Sequence, residues 1–295
     1  MSTPQKHAPA AYWRSGSNPG SWGNGAGLVY SRGVRSGESS FVRRRQPQAR
    51  HHRRARRRQL LCRPAVCRAM KSLRSFKPRL EILPTPQRRL WPELNQTPEN
   101  FTLYGGTALA LRLAHRQSAD FDFFSNKPIS GQRLLSDIPY LHHAKIRQLE
   151  PNTLVTTVRR VGTVQLSFFG DLSIGQVEPA ELAEGPRIKV ASLRDIAGTK
   201  LSVVMQRAEA KDYLDIHALL TQGKLSLPEM LACAQAIFGH KFNPATSLKA
   251  LSHFGDPKLK KLPEGIRRDL IAAIRSTDLS QLPTVKPVRA RERRP

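Results

Sequence analysis

Residues 101–125 read FTLYGGTALALRLAHRQSADFDFFS: a short apolar strand, a Gly-Gly-Thr turn, an amphipathic helix, a basic turn, and a second apolar strand carrying two aspartates one residue apart. In a strand, side chains at i and i+2 share a face, so Asp120 and Asp122 stand side by side while Phe121 and Phe123 turn into the core. Asp-x-Asp pairs also occur on solvated strand faces and at helix N-caps. Here the carboxylates interrupt an apolar strand, and burying them beside Phe121, Phe123 and Phe124 is costly without a cation. The pattern therefore favours a metal site.

The glycine turn supplies the other half of that reading. Gly105 and Gly106 let the backbone turn tightly and approach a bulky anion, and the unpaired N–H groups at the start of the following helix can hold phosphate oxygens. Asp120 and Asp122 are hard oxygen ligands suited to Mg²⁺ or Mn²⁺, and Mg²⁺ takes few protein carboxylates together with substrate phosphates. Either half alone is weak, because most glycine turns before helices are plain connections. Together they fit a nucleoside triphosphate with its metal. His115, Arg116 and Ser118 occupy the turn entering the aspartate strand. Arg116 has two open readings, a cation at a helix C-terminus or a contact to phosphate or the aspartates.

A second charged cluster lies in KLSVVMQRAEAKDYLDIHALL, residues 200–220. Lys200, Arg207 and Lys211 recur at near-helical spacing, so they present cations along one side if the helix continues or bends slightly. Asp212 and Asp215, at i and i+3, share a face. An exposed helix laced with ion pairs is the plain alternative. Against it, the acids are interleaved with Tyr213, Leu214, Ile216 and Leu219 and so border a core face.

The stretch GGTALALRLAHRQSADFDFF, with its glycine turn, helix and Arg-x-Ser-x-Asp-x-Asp segment, resembles the AbiEii/AbiGii toxin family of nucleotidyltransferases. The later Lys…Arg…Lys-Asp…Asp helix follows in the family's order, and the resemblance is strong over roughly residues 80–220. It implies a nucleotidyltransferase-like fold, a toxin–antitoxin or phage-defence setting, and an RNA acceptor, tRNA among the candidates. It also implies that Lys200 contacts the triphosphate, that Lys211 and Asp212 complete the active site, and that Gly105, Gly106, Thr107, Arg116, Ser118 and Arg207 bind nucleotide. Asp215 is left a structural role, holding the helix or Arg207. A sheet of this type often carries a third carboxylate opposite the first two. Ser167 stands there instead, and the nearest acid, Asp171, lies past the strand end.

The remaining chain sets the domain organisation. The 295 residues carry a net charge of +27, of which residues 1–69 hold +14, with 15 Lys and Arg against the single acid Glu38. Residues 1–75, with runs such as HHRRARRR, cannot bury enough apolar surface to offset chain entropy and read as disordered. This segment reads as an Arg-rich nucleic-acid arm, as a transit peptide, or as sequence upstream of a true start at Met70; ordinary composition resuming after Met70 favours the last. Cys62 and Cys67 have neither the spacing nor the partners of a zinc site, and Cys233 reads as a core residue. With no long apolar run, the chain reads as a cytoplasmic protein without a membrane partner.

Residues 76–190 read as an α/β (α+β) core. It has a short helix over 87–94, strands at 101–104 and 120–124 around a helix at 106–114, a helix near Leu134, and an antiparallel meander through AKIRQLEP, NTLVTTVRR and GTVQLSFFG. Residues 191–282 read as a helical region completing the site, beginning at a capping arrangement of Ser192 and Asp195, and 283–295 as a charged tail. The expected function is metal-dependent transfer of a nucleotide from a nucleoside triphosphate to an acceptor, with Asp120, Asp122, Lys200 and Asp212 catalytic. An adjacent antitoxin is the expected partner. The alternative is a catalytically inactive nucleotide- or RNA-binding module, and the serine at 167 supports it. A DNA-binding regulator would need a helix-turn-helix, which the sequence lacks.

Overall fold

A computed structural model describes residues 73–288. The chain divides into two units between Ala69 and Met70, and every described residue belongs to the second. The readings of the Arg-rich segment, of Cys62 and Cys67, and of residues 289–295 lie outside the described residues.

The aspartate strand β3 (Asp120–Phe124) lies inside an eight-stranded mixed sheet. Its neighbours are β2 (Thr102–Tyr104), antiparallel, and β6 (Gly162–Phe169), parallel. Beyond β6 the chain makes the expected meander, with β5 (Thr153–Arg160) and then β4 (Lys145–Glu150) at the sheet edge. On the other side of β2 lie β8 (Lys189–Val190), β7 (Glu181–Ala183) and β1 (Ser75–Phe76). These strands of two or three residues are too short to show an alternation, and the sequence does not reveal them. β1 also places Ser75 within the folded region, so the boundary expected after residue 75 lies too late.

The phenylalanine pattern explains the central strand. Phe121 and Phe123 are fully buried on one sheet face, where Phe123 stacks on Phe168 at 5.3 Å and Phe101 meets Phe168 edge-on. Helix α1 (Thr85–Leu90) covers this face over β5 and β6, and its continuation as a 3₁₀ turn adds Trp91 against Phe121. The single helix expected over 87–94 is therefore split in two, with Pro92 at the start of the second turn.

Helix α2 (Gly105–Leu113) follows β2 without a loop and is buried nearly all round, from Gly106 to Leu111, rather than amphipathic. It packs between the strands and the helices α4 (Leu193–Val204) and α5 (Ala210–Thr221). Arg112 fixes its end: the guanidinium donates to the carbonyls of Ala191 and Val190, pairs with Glu181 at 2.5 Å and lies 4.2 Å from the Phe76 ring. After the short α3 (Gly131–Asp137) and the meander, α4 opens on the expected capping box. Ser192 Oγ accepts from the Asp195 N–H and donates to its carboxylate at 2.6 Å.

Helices α6 (Leu227–Phe238), α7 (Pro244–Ser252) and α8 (Glu264–Arg275) complete the helical half, with Cys233 a buried free thiol in α6. The tail is not wholly detached. Val285 packs near Val177 and Cys233, and the Val288 N–H donates to the Gln176 carbonyl at 2.8 Å. Among the described residues no helix is long and apolar enough to cross a membrane.

Candidate active site

Asp122 and Gly105 touch. Tyr104 pairs with Asp122 across β2 and β3, so the chain leaves β2 directly beside that carboxylate. Gly105 has φ +75°, and a Cβ there would lie 2.6 Å from Asp122 Oδ2. Both the left-handed backbone and the absence of a side chain are required at this residue. Gly105→Ala is expected to destabilise the fold by about 1–3 kcal/mol and to displace the Asp122 carboxylate. Thermal melts of the variant beside the unaltered chain check the loss.

Gly106 provides a second close approach. A Cβ on it would meet Arg116 Nη2 at 2.7 Å and Ser118 Oγ at 2.9 Å. The Thr107 hydroxyl donates to the Asp120 carbonyl and ties the first turn of α2 to β3. Gly105, Gly106, Thr107, Arg116, Ser118, Asp120 and Asp122 therefore come together as the sequence predicts.

The two carboxylates lie on one face in an environment that resists their charge. Burial pushes the Asp120 carboxyl above the usual range, with Lys211 and Arg116 opposing the shift. Burial and the neighbouring Asp120 push Asp122 up to about 6. Ser167 pairs with Asp122 in register and turns its hydroxyl toward it, yet neither Ser167 Oγ nor Asp122 Oδ1 completes a hydrogen bond. A buried carboxylate oxygen without a partner, next to a second carboxylate, fits a divalent cation. No third His, Cys, Asp or Glu among the described residues joins them in a metal-binding group.

The second cluster stands behind this pair. Chain 205–209 breaks the helical run, so Lys200 lies on α4 while Lys211, Asp212 and Asp215 lie on α5. Lys200 is 6% exposed, and its Nζ lies 2.9 Å from Asp212 Oδ1 and 2.5 Å from Asp215 Oδ2. It is thus clasped between two acids rather than open to solvent, while its charge still acts on Asp122.

Asp215 also accepts from Arg116 through both oxygens, at 2.6 and 2.8 Å, and bonds His115 Nε2 at 2.7 Å. Arg207 pairs with Asp212 at 2.9 Å, not with Asp215. This settles the geometry of Arg116: its guanidinium bridges Gly106 and the second cluster, and it neighbours Asp120 electrostatically. The part played by His115 was not legible, because nothing in the sequence pairs a residue after a helix end with an acid 100 positions later. Lys211 meets Glu209 at 3.0 Å, is 35% exposed and acts on both Asp120 and Asp122.

Burial opposes ionisation of Asp212 and Asp215, but Lys200 and the arginines outweigh it and hold both carboxyls below the usual range. A depressed folded pKa contributes stability that is full above the unfolded carboxylate value of about 3.9 and is lost as pH falls below it. The midpoint of thermal unfolding is therefore expected to change little from this cluster between pH 8 and 5 and to drop steeply below about pH 4. Asp215→Asn should flatten that acid limb in a melting series across pH.

Comparison with known proteins decides the family. The family model described as nucleotidyl transferase AbiEii toxin, type IV TA system, matches residues 90–290. The chain belongs to the AbiEii family. Both clusters of the site lie inside the matched AbiEii region. The uncharacterized protein aq_aa25 of Aquifex aeolicus is 31% identical over 133 residues, which cover 44% of this chain and 63% of that protein. Among solved structures, MenT4, a nucleotidyltransferase toxin of Mycobacterium tuberculosis, aligns with TM-score 0.46 and 14% identity over 66% of this chain and 83% of its own. A candidate nucleotidyltransferase of H. pylori aligns with TM-score 0.42 and 21% identity over 64% of this chain and 90% of its own.

Proposed function

We propose that this AbiEii-family protein transfers a nucleotide from a nucleoside triphosphate to an RNA acceptor, tRNA among the candidates, as a toxin of a toxin–antitoxin pair in the cytoplasm. The observation that carries the proposal is the Asp122 carboxylate beside Asp120, with Oδ1 buried and unpartnered and Oδ2 against the Gly105 turn where α2 begins.

Asp120 and Asp122 would hold the divalent ion, Mg²⁺ or Mn²⁺. When bound, it would neutralise the triphosphate and acidify the attacking hydroxyl. The chain's own groups do the rest. The first N–H groups of α2, opened by Gly105 and Gly106, receive phosphate oxygens at the positive end of the helix. Ser118 and Arg116, packed on Gly106, bound the same cradle. Lys211 and Arg207, the partly exposed cations of the second cluster, stabilise charge that develops on the leaving pyrophosphate. Lys200, locked between Asp212 and Asp215, positions α5 against α4 and adds a fixed positive field behind Asp122. Asp212 orients Lys200 and Arg207, Asp215 orients Lys200 and Arg116, and Glu209 holds Lys211.

The test is incubation of the protein with each α-labelled nucleoside triphosphate, Mg²⁺ and total tRNA. Label is expected in the RNA fraction with at least one nucleotide, and chelation of the metal should remove it. A second reading is a nucleotide-binding module without chemistry, favoured by Ser167 standing where a third carboxylate would complete the metal site. It predicts saturable nucleotide binding with no label in any acceptor.

A further inference from the structure

The sheet face that carries the aspartates continues beyond them and becomes progressively more open and basic. In register, Asp120 pairs with Gln165 on β6, Gln165 with Thr157 on β5, and Thr157 with Lys145 on β4. One pleat further along β5 and β6, Arg159 pairs with Thr163. Directly paired residues share a face, and so do residues two apart along a strand. Lys145, Thr157, Arg159, Thr163 and Gln165 therefore all face the side of the sheet where Asp120 and Asp122 stand.

Exposure rises along this path. Asp122 and Asp120 are partly covered, Gln165 and Thr157 are half-buried, and Thr163, Arg159 and Lys145 are exposed. The opposite sheet face is sealed, with Leu154, Thr156, Leu166 and Phe168 fully buried. The adjacent Arg160 shows what a committed arginine looks like here, since both its Nε and Nη2 are held by Glu93 at 2.6 and 2.7 Å. Arg159 and Lys145 have no such carboxylate among the described residues. The one acid on this face of the meander is Glu150 at the far corner, paired with Thr153.

We infer that this three-stranded platform is the track for the acceptor polynucleotide, with Arg159 and Lys145 holding backbone phosphates upstream of the reacting end. The inference rests on the nucleotidyl-transfer reading above and adds where the acceptor lies. Three strand spacings of about 4.8 Å separate Asp120 from Lys145, and two spacings plus one pleat repeat put Arg159 about 12 Å away. At about 3.4 Å per stacked nucleotide these cations meet the phosphates roughly four nucleotides from the end. Gln165 and Thr157 between them offer polar groups to the intervening sugars and bases. The track predicts an acceptor with a preference for length rather than for sequence, because phosphate contacts carry no base information.

The test compares the full chain with its Lys145→Ala/Arg159→Ala double variant. Binding of a fluorescein-labelled twelve-nucleotide RNA is followed by anisotropy across a salt series. Lys261→Ala, an exposed loop lysine outside the platform, serves as the control. The Arg-rich N-terminal segment is unaltered in all three, so the difference in slope reports the substituted residues. Losing two phosphate contacts should lower the slope of log affinity against log salt by about 1.4 and weaken binding about tenfold near 0.1 M salt. In transfer assays the variant should raise KM for the twelve-nucleotide acceptor, leave KM for the nucleoside triphosphate unchanged, and lose nothing on a dinucleotide acceptor.

A slope and affinity equal to those of the Lys261→Ala control would overturn the track, even if label transfer is found. Platform-dependent RNA binding without any label transfer would uphold the track and remove the transfer reading. Failure of the unaltered chain to bind the RNA would overturn the track as well.

Discussion

Asp122→Asn is expected to abolish label transfer, by at least a thousandfold, while leaving the metal-free protein at least as stable as before. The two effects have one cause. Asp122 lies against Gly105 with Oδ1 buried and unpaired, and burial together with Asp120 pushes its carboxyl up to about 6. Above that pH the folded protein carries an anion that the unfolded chain would hold more comfortably. The charge therefore costs stability, on the order of 1–2 kcal/mol after allowance for partial solvent access.

An amide of the same shape removes that cost and removes the metal ligand with it. Thermal melts at pH 7.5 without divalent ions should show an unchanged or higher midpoint, and label transfer should vanish. A variant that unfolds would instead mean that the carboxylate is structural. A variant that still transfers label would mean that it is idle.

The opposite sign is expected for Asp215→Ala. Asp215 lies wholly inside the protein and takes Lys200, Arg116 and His115 at once. Without its charge Lys200 keeps only Asp212, which Arg207 already shares, and the Arg116 guanidinium loses both carboxylate oxygens and keeps only the Gln117 carbonyl. Removing one partner from a buried ion network costs about 3–5 kcal/mol, because the remaining charges are left uncompensated. For a folded unit of this size that is a fall of roughly 10–15 °C in the melting midpoint. Differential scanning calorimetry checks it, and a loss under about 1 kcal/mol would show the cluster to be a solvated ion pair rather than a structural node. Lys200→Met should fall between the wild type and Asp215→Ala, because Arg207 and Arg116 still neutralise the two acids.

The contrast between these variants shows what the sequence could reveal. The aspartate strand was legible because period-two alternation of Asp and Phe specifies one polar and one apolar face, and Phe121 and Phe123 occupy the buried side. The glycine turn was legible because glycine adopts a left-handed backbone at least cost and leaves room for a close approach, as at residue 105. The meander was legible from its turns, and the capping box from Ser192 and Asp195.

The sequence did not show how the second cluster faces the first. Helical spacing put Asp212 and Asp215 on one face, but the pairing of Lys200 with both required the chain to break at 205–209 and fold α5 back on α4. That break has no proline or glycine to announce it. Lys200, which the resemblance assigns to the triphosphate, lies in the folded chain between two carboxylates at 2.9 and 2.5 Å. The register that aligns Lys145 with Asp120 spans four strands, and no local pattern encodes it.

Nucleotidyl transfer at this site requires Asp120 and Asp122 to hold one divalent ion together with the triphosphate. Electron paramagnetic resonance of Mn²⁺, titrated into the protein with a non-hydrolysable nucleoside triphosphate analogue, measures this most directly. One Mn²⁺ per chain should be bound beyond what the analogue binds in free solution, and the Asp122→Asn variant should lose it. Equal Mn²⁺ binding by Asp122→Asn and the unaltered chain would contradict the account.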